Sequence, residues 1–300
     1  MSRRPPAAWW FLAPALAAIA LFFLVPVLAS LLLSLTDFDI YAIGDPGTVR
    51  FTGLRNYRRL LGDVSFWTAL RNTLVFVGIG GPLSLAVSLG GALLVDAPAV
   101  RLRGFFRTVY FLPVVTTLVA VAVVWRALYH PRVGPLAVLF EALGLPAVDW
   151  LGDPRFAMPA IILMAVWKNF GFNLVIFLAG LQAIPERLYE AARIDGADAW
   201  QQLRHVTLPM LAPTFVFVSI STAIGYFQLF AEPYVMTHGG PSDATLSIVL
   251  LMYREGFRWW NLGYAAAVAF VLFLLILAAS ALQLRLQRGT AFGAGLEPRA

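Results

Sequence analysis

The sequence predicts an all-α integral membrane protein with six transmembrane helices, on three observations. Of 300 residues, 60% are hydrophobic and only 13% are charged, where soluble domains carry roughly 25% charged residues. Six stretches reach the ~20 mostly apolar residues that a helical span needs. The arginines between these stretches are shared unevenly by the two sides, as the positive-inside bias requires.

The spans fall at about 9–35, 70–95, 109–129, 156–184, 211–236 and 262–284. The first follows Met-Ser-Arg-Arg and could be mistaken for a signal peptide. Its apolar run is far longer than the about 7–15 residues of a signal core, so it reads as an uncleaved anchor. An even number of spans puts both termini on one side. That side collects Arg3, Arg4, Arg101, Arg103, Arg107, Arg187, Arg193, Arg204, Arg285, Arg288 and Arg299, whereas the arginines opposite are nearly matched by acids. The first side is therefore expected to be cytoplasmic. The chain reads as one integral domain over residues 1–300. It divides into a first span with its outer loop (1–66), a five-span core (67–284) and a short Gly-rich cytoplasmic tail (285–300).

Composition also excludes chemistry. There is no cysteine, so disulfides, thiolate catalysis and cysteine-based metal sites are ruled out. His130, His205 and His238 fall in separate segments, which leaves no metal site to expect. Lys168, the only lysine, lies in Val-Trp-Lys-Asn-Phe-Gly-Phe and cannot complete a phosphate-binding P-loop. No paired carboxylates or Ser–base set sits at matching depth for a membrane enzyme, and no inverted repeat suggests a self-sufficient carrier. The net charge of +6 follows from the positive-inside bias, with no need for nucleic acid.

One polar hairpin stands out, Tyr189 to Pro213, between the fourth and fifth spans. Pro185 and Glu186 suit a helix start, a helix is expected over 186–195, and Gly196 ends it. A second short helix over 197–205 would put Ala197, Trp200 and Leu203 on one face, with Pro209 closing the hairpin before the fifth span. Such a hairpin can lie on lipid headgroups. Its mixed signs, with Glu190, Asp195 and Asp198, suit a groove on a protein better.

Here the sequence resembles a family. Glu190-Ala191-Ala192, then Gly196, then Val206-Thr207-Leu208-Pro209 resembles the EAA motif of binding-protein-dependent ABC importer permeases, with Val206 in place of the usual isoleucine. Residues 51–74, 105–113, 177–211 and 237–257 are similar, in order, to sugar-importer permeases of the maltose, lactose and glycerol-phosphate type. The resemblance implies a type I ABC importer permease fold with a cytoplasmic EAA coupling hairpin, in the bacterial inner membrane. Glu190, Ala191, Ala192, Asp195, Gly196, Ala197, Leu208 and Pro209 would then engage a separate ATPase, which holds ATP and Mg. The chain itself would be non-catalytic and bind no cofactor. Its implied partners are a second, homologous permease, two ATPase subunits and an extracytoplasmic sugar-binding protein.

Polar residues within spans mark the substrate pathway. A lysine at mid-bilayer costs about 2.5–3.5 kcal/mol on insertion scales, so Lys168 must face a partner or a wet cavity; it reads as structural. Asn169, Phe172, Asn173, Thr222 and Tyr226 are the candidate pathway residues, because a sugar needs amides for its hydroxyls and a flat ring for its face. Two polar stripes mark the fifth span, Ser219-Thr222-Tyr226 and Ser221-Gly225-Gln228-Glu232; one could pack on helices and the other line a pore. Glu232 is expected to snorkel outward or pair with an outer-loop arginine. The turn His238–Ser242 is too rich in glycine and proline for a helix. The resemblance implies that Gly239, Gly240 and Pro241 lie where the binding protein docks.

Overall fold

A computed structural model describes residues 7–97 and 99–291. Among these, five helices are long and apolar enough to cross a membrane, or six when one sharply bent pair is counted as a span. We label α1 (Trp9–Ser34), α2 (Arg55–Gly62), α3 (Val64–Asp96), α4 (Arg103–Val115), α5 (Leu118–Leu128), α6 (Pro135–Ala142) and α7 (Pro154–Gln182). After them come α8 (Glu186–Ile194), α9 (199–227), α10 (Ala231–Met236), α11 (Ile248–Tyr253) and α12 (Leu262–Ala291). The single extended pairing among described residues is the isolated bridge Thr36–Phe51.

Contacts divide the chain into two compact units. The first holds the residues up to Trp67 together with Leu251–Leu274. In it, Asn56 donates to the carbonyls of Ser34 and Thr36 at 2.9 and 2.7 Å, which ties α2 to the end of α1. The start of α12 joins them: Gly263 N–H donates to Phe38 O, and the Tyr264 hydroxyl donates to Asp63 at 2.6 Å. Arg59 lies 4.2 Å above the Tyr264 ring and pairs with Glu255. No residue of α1's most apolar window is buried.

The second unit holds Thr68–Leu250 and the rest of α12. Its centre is α7, whose 29 residues are apolar on nearly every side, as a helix enclosed by others must be. Asp153 caps α7 by accepting from Arg155 N–H at 2.9 Å. Helices α3, α4 and α9 pack on it, and α5 packs on α10. At Gly171 any Cβ would strike the Tyr110 carbonyl, so α4 reaches α7 only where the side chain is missing.

Three spans widen into a π turn, at Ala20–Leu24, Phe76–Gly80 and Leu203–Thr207. Each ends two residues before a proline: Pro26, Pro82 and Pro209. Proline lacks the N–H of the regular ladder, and its ring crowds the carbonyl four residues back. A wider turn relieves that crowding without ending the helix.

Three expectations are corrected. The third span is no straight helix: α4 and α5 meet at a 95° bend, where Thr116 and Thr117 are extended just beyond Pro113. The fifth span breaks at 228–230 before α10. The second hairpin helix is not separate, because Ala199–Gln202 runs through the π turn into Leu208–Phe227, and Pro209 widens the helix without closing the hairpin.

Candidate functional site: a mid-span cavity and a capped hairpin

A cavity of about 500 Å³ lies beside the middle of α7, between the two broken spans. One face comes from α7 through Asn169, Phe172 and Asn173, and another from α9 through Thr222 and Tyr226. All five candidate pathway residues thus meet on one cavity. Helical spacing does the gathering: 169, 172 and 173 share one face of α7, and 222 and 226 share one face of α9. Asn173 donates to Thr222 Oγ1 at 3.0 Å and to Ser84 Oγ at 3.4 Å, which fixes its amide.

Tyr226 is buried, and its ring stacks on Phe76 at 4.8 Å. Phe76 opens the π turn of α3, and the same turn ends at Gly80, where a Cβ would come within 2.9 Å of the Tyr226 ring. The Tyr226 hydroxyl has Ser84 and Asn169 as polar neighbours, yet neither meets it at hydrogen-bonding geometry. A buried hydroxyl so placed at a cavity wall is free to donate into the cavity.

The two stripes on α9 do not divide as packing and pore. Ser221, Gly225, Gln228 and Glu232 line the same cavity as Thr222 and Tyr226, while Ser219 lies buried with its hydroxyl on Val216 O. Glu232 is the clearest departure from expectation. It neither snorkels outward nor pairs with an outer arginine; it is 7% exposed and lines the cavity. The break at 228–230 turns the chain inward, and sequence periodicity carries no signal for that turn. Lys168 is buried and donates to Val114 O at 3.1 Å, where α4 ends at the bend. It satisfies a carbonyl that the broken helix leaves without a partner.

The hairpin lies at the other end of α7. Its turn holds two caps back to back. Gly196 N–H donates to Arg193 O and Ala197 N–H to Ala192 O, closing α8 in a Schellman motif. Gly196 has φ +80° with open space around it, so glycine is required there by the backbone alone. Asp198 then caps the next helix through a reciprocal box, its carboxylate on Gln201 N–H and the Gln201 side chain on Asp198 N–H, both at 2.8 Å. Tyr189 and Thr207 join the two limbs at 3.0 Å, and Leu188, Tyr189 and Val206 rest on the core.

Beyond that base, Glu190, Ala191, Asp195, Gly196, Leu208 and Pro209 are exposed, and Ala192 and Ala197 are half-buried. Ile194 and Trp200 are 86% and 68% exposed. Ile194 is the exposed apolar residue of this turn that sequence reading passed over. An isoleucine directly before the Asp-Gly turn was the available signal.

The turn after α10 is anchored, not loose. Thr245 accepts or donates to Thr237 at 2.7 Å and donates to Gly240 O at 2.8 Å, and Asn72 of α3 donates to the carbonyls of Asp243 and Leu246. Gly239 is buried, Gly240 and Pro241 are half-buried, and His238 and Ser242 present the exposed surface. Among the described residues, no group of three or more His, Cys, Asp or Glu side chains could hold a metal.

Comparison with known proteins places this geometry. The chain is 38% identical over 280 residues to the lactose transport system permease protein of Rhizobium radiobacter, covering 92% of each chain. It is 33% identical to the sn-glycerol-3-phosphate transport system permease protein of Agrobacterium fabrum, covering 91% of this chain and 92% of that one. The fold matches a chain in the crystal structure of a bacterial alginate ABC transporter in complex with an alginate pentasaccharide-bound periplasmic protein, with a TM-score of 0.79, 21% identity and 95% of each chain covered. The profile of one family, described as the inner membrane component of binding-protein-dependent transport systems, matches residues 86–291. With five helices long and apolar enough to cross a membrane, six counting the bent pair, and the hairpin built at the EAA motif, the chain belongs to that family of ABC importer permeases.

Proposed function

We propose that this chain forms half of the translocation pathway of an ATP-driven importer and carries a carbohydrate delivered by an extracytoplasmic binding protein. The observation that carries the reading is the cavity beside α7. It combines two amides, that of Asn173 held in place, an aromatic wall and a tyrosine hydroxyl with no partner among the described residues, the complement a polyhydroxylated ring requires. The relative named for lactose supports a sugar, and the one named for sn-glycerol-3-phosphate keeps a polyol or phosphodiester as the second reading.

In this reading the chain performs no chemistry and binds no cofactor; ATP and Mg belong to the ATPase. A second, homologous permease completes the pathway, and both termini are cytoplasmic. The hairpin seats Ile194, Trp200 and Glu190 in a cleft of the ATPase. Its two caps keep it stiff, so closure of the ATPase dimer moves α7 and α9, between which the hairpin is strung.

Reconstitution tests the proposal. In proteoliposomes holding this chain, its partner permease, the ATPase and the binding protein, ATP should drive sugar uptake, and this chain alone should support none. Uptake by the chain alone, or an assembled complex that hydrolyses ATP but imports no sugar, would reject it.

A further inference from the structure

Tyr226 meets α3 at three points. Its ring stacks on Phe76 with centroids 4.8 Å apart and planes 27° from parallel. Its ring edge lies over Gly80, and Ser84 neighbours its hydroxyl. An α-helix advances about 100° per residue, so residues four apart drift by about 40° at each step. The π turn Phe76–Gly80 closes one residue later than an α turn. Each residue in it turns through less, which keeps 76, 80 and 84 closer to one line along α3.

Gly80 is where that line leaves room for the tyrosine. A Cβ there would stand 2.9 and 3.4 Å from Tyr226 Cε1 and Cδ1, and 3.5 Å from Ile162 Cγ2. The first distance is closer than side chains pack, so the ring would have to shift. Phe76 and Tyr226 are both buried, and Phe76 blocks the face it stacks on. The ring therefore yields by sliding away from α3, and the hydroxyl goes with it. The backbone gives no separate reason for glycine, because Gly80 has ordinary helical angles, φ −65° and ψ −40°. Gly78, in the same turn, makes the contrast: a Cβ there meets nothing within 4 Å.

We infer that Gly80 is a positioning residue of the cavity, which by lacking a side chain fixes where the Tyr226 hydroxyl stands. It does not itself line the space and acts through the tyrosine. The functional consequence rests on the carbohydrate reading above, whereas the positioning needs no cargo to be measured.

The test first reads the tyrosine directly. Fluorotyrosine is placed at position 226 of the assembled transporter in nanodiscs, and its fluorine resonance is recorded without cargo. Gly80→Ala should shift the resonance by more than its line width. Gly78→Ala, the same exchange two residues away, should leave it in place. An unshifted line in Gly80→Ala overturns the inference, and so does an equal shift in both variants. Uptake of radiolabelled lactose, with maltotriose as a second probe, is then measured in proteoliposomes holding every subunit and the binding protein. Gly80→Ala should lower uptake about three- to tenfold, the loss of one neutral hydrogen bond. In a Tyr226→Phe background, with no hydroxyl left to displace, it should add less than about twofold. Full additivity of the two losses overturns the inference, because Gly80 would then act on packing at large. A shifted resonance with uptake untouched by Tyr226→Phe rejects the tyrosine's part in the carbohydrate reading, and the functional consequence of Gly80 falls with it.

Discussion

Tyr226 sets its ring on Phe76 and leaves its hydroxyl buried without a partner. An unsatisfied buried hydroxyl costs about 1–3 kcal/mol, so Tyr226→Phe should leave the thermal midpoint of the purified complex unchanged or raise it. Uptake should fall about three- to tenfold, the worth of one neutral hydrogen bond of ~0.5–1.5 kcal/mol. A variant that loses stability and keeps full uptake would show the hydroxyl to be structural. Lys168 makes the opposite case. Lys168→Met removes the donor to Val114 O and should cost about 1–3 kcal/mol, read as a lower midpoint. At this scale the sequence was informative where one helix does the arranging. Asn169, Phe172 and Asn173 lie on one face whatever surrounds them. It was silent on Glu232, whose place in the wall depends on a break between two helices and on the packing of α10 against α5.

The hairpin shows how far local rules reach. Asp195-Gly196-Ala197-Asp198 ends one helix and starts the next within four residues, using backbone geometry and side chains close in sequence. Gly196→Ala puts a Cβ at φ +80° in open space, so its cost of ~1–2 kcal/mol is backbone strain alone. The expected outcome is a folded complex in which less sugar is imported per ATP hydrolysed. Normal stoichiometry would show that the turn's stiffness is irrelevant. Glu190, exposed and in no ion pair among the described residues, should behave likewise: Glu190→Lys is expected to lower uptake and cargo-stimulated ATP hydrolysis together. The three π turns within spans each precede a proline, Pro26, Pro82 or Pro209, but sequence reading took Pro209 as the end of the hairpin. The bend at 116–117 was not legible. Pro113 accounts for a weakened helix end, but the 95° angle is set by α7 and α10 on either side.

Across the whole chain, charge bias predicts the hairpin and both termini on the cytoplasmic side. The absence of cysteine makes that easy to check. Single cysteines at Ala197 and Ser242 can be labelled in intact cells with a membrane-impermeant maleimide. Ser242→Cys should react from outside, and Ala197→Cys only after permeabilisation; the reverse pattern would invert the topology.

The sequence by itself determined the all-helical membrane class, the polar hairpin with its Gly196 turn, and the family. These rest on hydrophobic length, on proline and glycine, and on hydrogen bonds between near neighbours, all of which act over one or two turns. Only the tertiary structure decided that two spans break, that Lys168 closes one break and that Glu232 enters the wall at the other. Inside a membrane every backbone group needs a partner, and at a break that partner comes from a helix distant in sequence. Which distant helix it is, and therefore what faces the cavity, is settled by packing alone.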